Sequence, residues 1–208
     1  MIRQQNIYEI SEQLEIPYLV HFTNVKNIDS IIKNGIYSRD GIEKSDSFKN
    51  TVVYVNDTLR LDGYTNAISI SIGHPNENML YKLRKNYPTE EWAVLGIDKS
   101  ILWSKDCAFF HKNAASSEFK YKYLSSLKSP LAFLNMFKDM EGNYRKHRPF
   151  DVQAEVLVFG IIEPQLILGV IFNTEFTKNK LTPVIGNLYS TVNSGSTGVF
   201  STPSYAIF

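Results

Sequence analysis

The segment Ala67-Ile68-Ser69-Ile70-Ser71-Ile72 alternates apolar and hydroxyl residues with a period of two. That spacing specifies an extended strand with one face buried. Further strands are expected over residues 18–23, 92–97 and 168–172, and in the apolar run that follows Glu155. Helical spacing occurs between them. Ile7, Ile10, Leu14 and Ile16 are compatible with a leading helix. Val25, Ile28, Ile31 and Ile32 share a face that ends at Gly35. Met79, Leu80 and Leu83 mark a third helix, residues 101–103 a short helical turn, and residues 131–140 an amphipathic helix with Leu131, Leu134, Phe137 and Met140 inward. Residues 38–50 are polar and are expected to form an exposed loop, a possible lid; residues 51–55 fit a strand or the start of a short helix, and the tail from Asn173 carries short β-prone pieces. The helices interrupt the strands irregularly, without the rhythm of βαβ units, so the expected class is α+β with a mainly antiparallel sheet.

Nothing in the composition divides the 208 residues, and the chain reads as one domain over 1–208. Twenty-two Lys and Arg offset twenty-one Asp and Glu, so any nucleic-acid binding must come from a local patch. The one cysteine, Cys107, cannot form an internal disulfide, which suits a reducing cytosol. The N-terminus is polar where a signal peptide is apolar, and no apolar run approaches the roughly 18 residues of a membrane span.

The candidates for chemistry are few. Glu155 heads the run Val156-Leu157-Val158-Phe159, and a carboxylate beside buried strand residues is either paired with a cation or held for proton transfer. His21 and Thr23 lie two apart on one strand and so point to one side; a histidine beside apolar residues is, taken alone, more often a satisfied core group. Arg60 beside Asp62 is either a local ion pair or a guanidinium placed to grip phosphate. The glycine-rich dinucleotide fingerprint, the nucleoside triphosphate loop and the His-Glu-x-x-His zinc motif are all missing, and no Cys/His cluster has metal spacing. Asp151 with Glu155 lacks the following lysine of a metal nuclease.

Three separated stretches nevertheless fit one pattern. Leu19-Val20-His21-Phe22-Thr23-Asn24-Val25-Lys26-Asn27-Ile28, Arg60-Leu61-Asp62 and Gln153-Ala154-Glu155-Val156-Leu157-Val158 together resemble the DarT family, the DNA ADP-ribosyltransferase toxins of bacterial toxin–antitoxin pairs. The likeness spans roughly residues 18–172. It implies an ADP-ribosyltransferase-like fold, a split mixed or antiparallel sheet with peripheral helices, that grips NAD without Rossmann glycines and needs no metal. By the same resemblance His21 and Thr23 hold the nicotinamide amide and adjacent ribose, Asn27 helps position NAD, Arg60 meets the phosphates or the reacting centre, and Glu155 is the catalytic carboxylate. The acceptor implied is a base of single-stranded DNA, and the partner a macrodomain-type antitoxin.

Lys120-Tyr121-Lys122-Tyr123 mixes cations and rings, as backbone tracking and base stacking require, and Arg145, Lys146 and Arg148 crowd just ahead of Glu155. Judged alone, both are solvated basic faces. Pro149-Phe150-Asp151 departs from the Pro-Thr-Asp-like lead-in of the family, and His74 stands where a large apolar residue is usual; both changes bear on the acceptor. Two other readings are an ADP-ribosyltransferase acting on RNA or protein, and a noncatalytic nucleic-acid-binding module in which Glu155 is an ion-pair partner.

Overall fold

In the computed structural model, which describes residues 2–49, 51–55, 60–195 and 198–201, the isoleucine-serine segment is the strand β2 (Ala67–Ile72) at the middle of a mixed sheet. The other strands are β1 (Leu19–Asn24), β3 (Trp92–Ile97), β4 (Asp106–Phe110), β5 (Glu155–Phe159), β6 (Ile167–Phe172) and β7 (Tyr189–Val192). Their order is β4-β5-β2-β1-β3-β6-β7. Every pairing is antiparallel except β6 with β7.

The sheet is split between β1 and β2. These strands pair only at Leu19–Ile72 and Val20–Ser71, after which each follows its other neighbour. β1 runs beside β3 as far as Asn24–Trp92, and β2 runs beside β5 from Ile70–Val156 to Ala67–Phe159. A ladder that parts frees backbone groups along both inner edges, and such groups need new partners. The opening between the half-sheets becomes the floor of a cleft.

Packing holds the two halves in register. The helices are α1 (Ile2–Gln13), α2 (Ile28–Asn34), α3 (Arg39–Lys44), α4 (Glu77–Asn86), α5 (Ile101–Ser104), α6 (Leu124–Leu127), α7 (Pro130–Asn135) and α8 (Glu175–Ile185). Ile7 of α1, Leu14 just after it, Ile28 and Ile31 of α2 and Phe133 of α7 share the main core with Ile68, Ile70 and Ile72 of β2 and Val156 and Val158 of β5. Each such side chain contributes about 1.5–3 kcal/mol on burial. Two smaller clusters back the cleft walls, Ala108, Phe110, Phe119 and Leu157 on one side and Val20, Leu80, Leu83, Trp92 and Val94 on the other. The expected α+β class and split mixed sheet are both present.

Several local expectations change. Residues 38–49 are not an open loop: Ser38 caps α3 by accepting from Gly41 N, and Phe48 is buried edge-on against Tyr37 at 4.9 Å. The Ser38 cap and the buried Phe48 order what looks polar, while Ile42 lines the cleft; Asn50 lies outside the described residues. Residues 51–55 are neither strand nor helix. In 131–140 helix covers only Pro130–Asn135, with Leu131 and Met140 exposed and Phe133, Met136 and Phe137 buried, because the chain turns at Met136 and the expected phase is kept only at Leu134 and Phe137. The tail from Asn173 begins with helix α8, capped by Thr174 through Thr177 N, before β7, the one β piece among its described residues.

Candidate active site

Where β1 and β2 separate, a cavity of about 230 Å³ opens, and His21, Thr23, Asn27, Arg60 and Glu155 all line it. The β1 wall is neutral. Nδ1 of His21 lies 3.0 Å from the carbonyl oxygen of Ser69, one of the groups freed by the split. A carbonyl only accepts, so Nδ1 carries the proton and Nε2 is the acceptor of the neutral ring. Burial pushes the His21 pKa below 6.5, which keeps the ring neutral, while the bond to Ser69 acts weakly the other way.

Asn27 follows one helical turn later and is committed in three directions. Its amide nitrogen donates to Thr23 Oγ1 at 2.9 Å and to the Tyr54 carbonyl at 2.8 Å, and its oxygen accepts from Tyr54 N at 2.9 Å. The side chain thus acts as a backbone-like partner for Tyr54 and ties residues 51–55 to the cleft. Because Thr23 Oγ1 accepts from Asn27, the proton of the hydroxyl is what it offers a ligand.

The β5 wall is charged. Glu155 begins β5 opposite Phe110 of β4, and its carboxylate faces the cleft while its backbone is locked in the ladder. One oxygen accepts from Ala114 N at 2.6 Å and the other from the Ser69 hydroxyl. Burial drives its pKa above 4.5; the Ala114 and Ser69 bonds and the Arg60 charge pull against that rise, and Asp62 adds to it. Ser69 therefore serves both walls, with its carbonyl on His21 and its hydroxyl on Glu155.

Arg60 and Asp62 form an ion pair at 3.0 Å with side chains only 13% and 8% exposed, so this is a cleft-wall pair rather than a surface one. Nη2 of Arg60 also donates to the Tyr64 carbonyl at 2.5 Å, and Asp62 accepts from Tyr64 N at 3.0 Å. Arg60 has φ 42°, a left-handed conformation that costs a non-glycine residue about 1–2 kcal/mol. The ring of contacts holds it there.

The five basic candidates lie apart from this constellation, and none lines the cleft. Lys120 and Lys122 are exposed on the loop after β4. Arg145 and Arg148 border a small crevice with His74 and Asp151 beside the start of β5. Gly73, at φ 72°, lets that run approach the end of β2, since a Cβ there would meet the His147 carbonyl at 2.6 Å. Lys146 is held by Glu15 at the end of α1. Sequence reasoning passed over Ser69, although a strand whose polar face is serine rather than charge already signals packing against something polar. The described residues contain no group of three His, Cys, Asp or Glu side chains able to hold a metal ion, and no helix long and apolar enough to cross a membrane.

Residues 20–193 match the family model described as DarT, ssDNA thymidine ADP-ribosyltransferase. The chain belongs to the DarT family. Among solved structures, Thermosipho africanus DarTG in complex with ADP-ribose superimposes with a TM-score of 0.62 at 20% identity, over 89% of this chain and 51% of that one. The chain thus spans about half the length of that DarTG. Thermus sp. 2.9 DarT in complex with ADP-ribosylated ssDNA gives 0.56 at 11% identity, over 86% of this chain and 95% of that one. The same DarT in complex with NAD+ gives 0.51 at 11%, over 86% and 96%. At such identities these likenesses establish the DarT fold. Curated protein sequences give no match.

Proposed function

We propose that this DarT-family chain is a single catalytic domain that transfers ADP-ribose from NAD to thymine in single-stranded DNA, with Glu155 as the catalytic carboxylate. The observation that carries the reading is the Glu155 carboxylate, desolvated in the cleft wall and bonded by Ala114 N and Ser69. Cleaving the nicotinamide–ribose bond of NAD leaves positive charge on the ribose, which a carboxylate in a dry site stabilises. The attacking ring nitrogen of thymine must also lose a proton, and a carboxylate of raised pKa accepts one more readily than an ordinary one. Glu155 serves both needs.

The other residues bind and orient. The neutral His21 ring and the Thr23 hydroxyl face the cleft from one wall and suit the amide and hydroxyl groups of NAD, and Arg60 supplies the positive charge its diphosphate requires. Asn27 acts one step back, through Thr23 and Tyr54. Lys120, Lys122, Arg145 and Arg148 flank the Glu155 strand on two sides and fit a nucleic-acid backbone; Lys146, engaged by Glu15, contributes least. A base in a single strand reaches such a site without the cost of leaving a duplex. The Thermosipho africanus relative is a DarTG, and a macrodomain partner that removes ADP-ribose is the restraint expected for this chain in the cytosol.

The test is transfer of label from NAD to a thymidine-containing oligonucleotide. Wild type transfers it; Glu155→Ala stays folded and does not. Undiminished transfer by that variant contradicts the assignment, and label reaching RNA or protein but not DNA relocates the acceptor.

A further inference from the structure

The loop between β4 and α6 carries a surface that the cleft does not explain. Tyr121 is 86% exposed and Tyr123 84%, side by side in sequence with Lys120 and Lys122. Two such rings turned to water have no part in the core. The backbone beneath them is nevertheless fixed. Phe119 is buried and packs edge-on against Phe110 at 5.0 Å, Lys122 N donates to the Phe119 carbonyl at 3.0 Å, and Ser126 N donates to the Tyr123 carbonyl at 3.0 Å. The rings therefore stand on a supported turn, where little ordering entropy is lost on contact.

The charge around them is net positive. Three lysines against the single Glu118 leave residues 112–123 with a surplus of two positive charges. Lys112 lies 3.1 Å and Lys122 3.6 Å from Glu118, and Lys120 sits over the Tyr121 ring at 5.6 Å without covering it. A basic solvated face would account for the lysines and leave the rings unexplained. The loop is also continuous with the reacting centre, because Ala114, at its root, donates to Glu155. Seven residues further on, Tyr121 lies at most about 25 Å along the chain from that bond.

We infer that Tyr121 and Tyr123 form a stacking platform for the nucleotides of single-stranded DNA that flank the modified base, with Lys120 and Lys122 on the adjoining phosphates. The inference rests on the transfer reading above. Every base has a face to stack, so the platform governs how long a strand must be to bind well and leaves the choice of base to the cleft.

The test compares wild type, Tyr121→Ala with Tyr123→Ala, and Tyr121→Phe with Tyr123→Phe on thymidine-containing single strands of about 4 and about 16 nucleotides. For the alanine pair, the KM of the long strand is expected to rise about tenfold or more, while the short-strand and NAD KM values stay at wild-type levels; the phenylalanine pair behaves as wild type. An equal rise for both lengths, no rise for the long strand, or failure of the phenylalanine pair overturns the platform. Fluorescence anisotropy of the same strands without NAD separates the two claims. Long-strand binding that the alanine pair weakens, with no base modified by wild type, sinks the transfer reading and keeps the platform; equal binding by both sinks the platform.

Discussion

On the β1 side of the cleft the polar groups are neutral and bonded to one another, His21 to Ser69 and Asn27 to Thr23 and Tyr54. On the β5 side a carboxylate, a guanidinium and a second carboxylate occupy a wall that water reaches poorly. The first arrangement costs little and fixes shape, because buried polar groups that satisfy each other carry no penalty. The second opposes folding, since an ionised group in such a place loses solvation that its partners only partly restore. A fold keeps that arrangement when the charge has work to do. The β1 wall should therefore respond to mutation through lost bonds and shape, and the β5 wall through chemistry, with stability gained where a buried charge is neutralised and lost where its ion-pair partner is removed.

Glu155→Gln gives the largest expected effect. Transfer should fall by about 10³-fold. Its stability should move the other way. The folded-state pKa of Glu155 is raised above 4.5, so its contribution to stability is fully present below the ordinary carboxylate pKa and is lost as pH rises through the raised value. Melting curves should show the glutamine variant more stable than wild type at neutral pH, with the gap closing as pH falls towards 4.5. A variant less stable at every pH would mean that the carboxylate is structural.

Asp62→Ala comes next. It removes the carboxylate partner of a buried guanidinium and the acceptor for Tyr64 N, so urea unfolding should show a loss of about 3–5 kcal/mol. A change under about 1 kcal/mol would place the pair in solvent and weaken the contrast between the walls. Asn27→Ala tests the neutral side. It leaves Tyr54 N and O without their partner and should cost about 1–3 kcal/mol, together with faster amide exchange at residues 51–55 and an NAD KM that rises more than kcat falls. Unchanged exchange there would show that Asn27 is not the tie. The smallest effects belong to the basic run: Arg148→Ala should lower the salt slope of oligonucleotide binding by about 0.7, and Lys146→Ala by less, because Glu15 already engages that lysine.

The same contrast explains what the sequence allowed to be read. The Ala67–Ile72 alternation and the apolar run after Glu155 are period-two patterns set by core packing, and both strands lie where they were expected. His21, Thr23, Asn27, Arg60 and Glu155 converge although they are spread over more than 130 residues of chain, and no local pattern encodes that meeting; the family resemblance supplied it. Asn27 changes meaning, because two of its three bonds are to Tyr54, 27 residues away. Ser69 went unread for a similar reason: its double duty exists only once the sheet has split. The 131–140 helix held only in part: Leu134 and Phe137 face the core as periodicity expects, but the helix ends at Asn135, and the turn at Met136 leaves Leu131 and Met140 exposed while Phe133 and Met136 are buried.

Nucleoside mass spectrometry tests the account most directly. A single-stranded thymidine-containing oligonucleotide is incubated with NAD and protein, digested to nucleosides and weighed. The account predicts ADP-ribosyl-thymidine with wild type and about 10³-fold less with Glu155→Gln. Unmodified thymidine throughout, or equal amounts of adduct from both proteins, would contradict it.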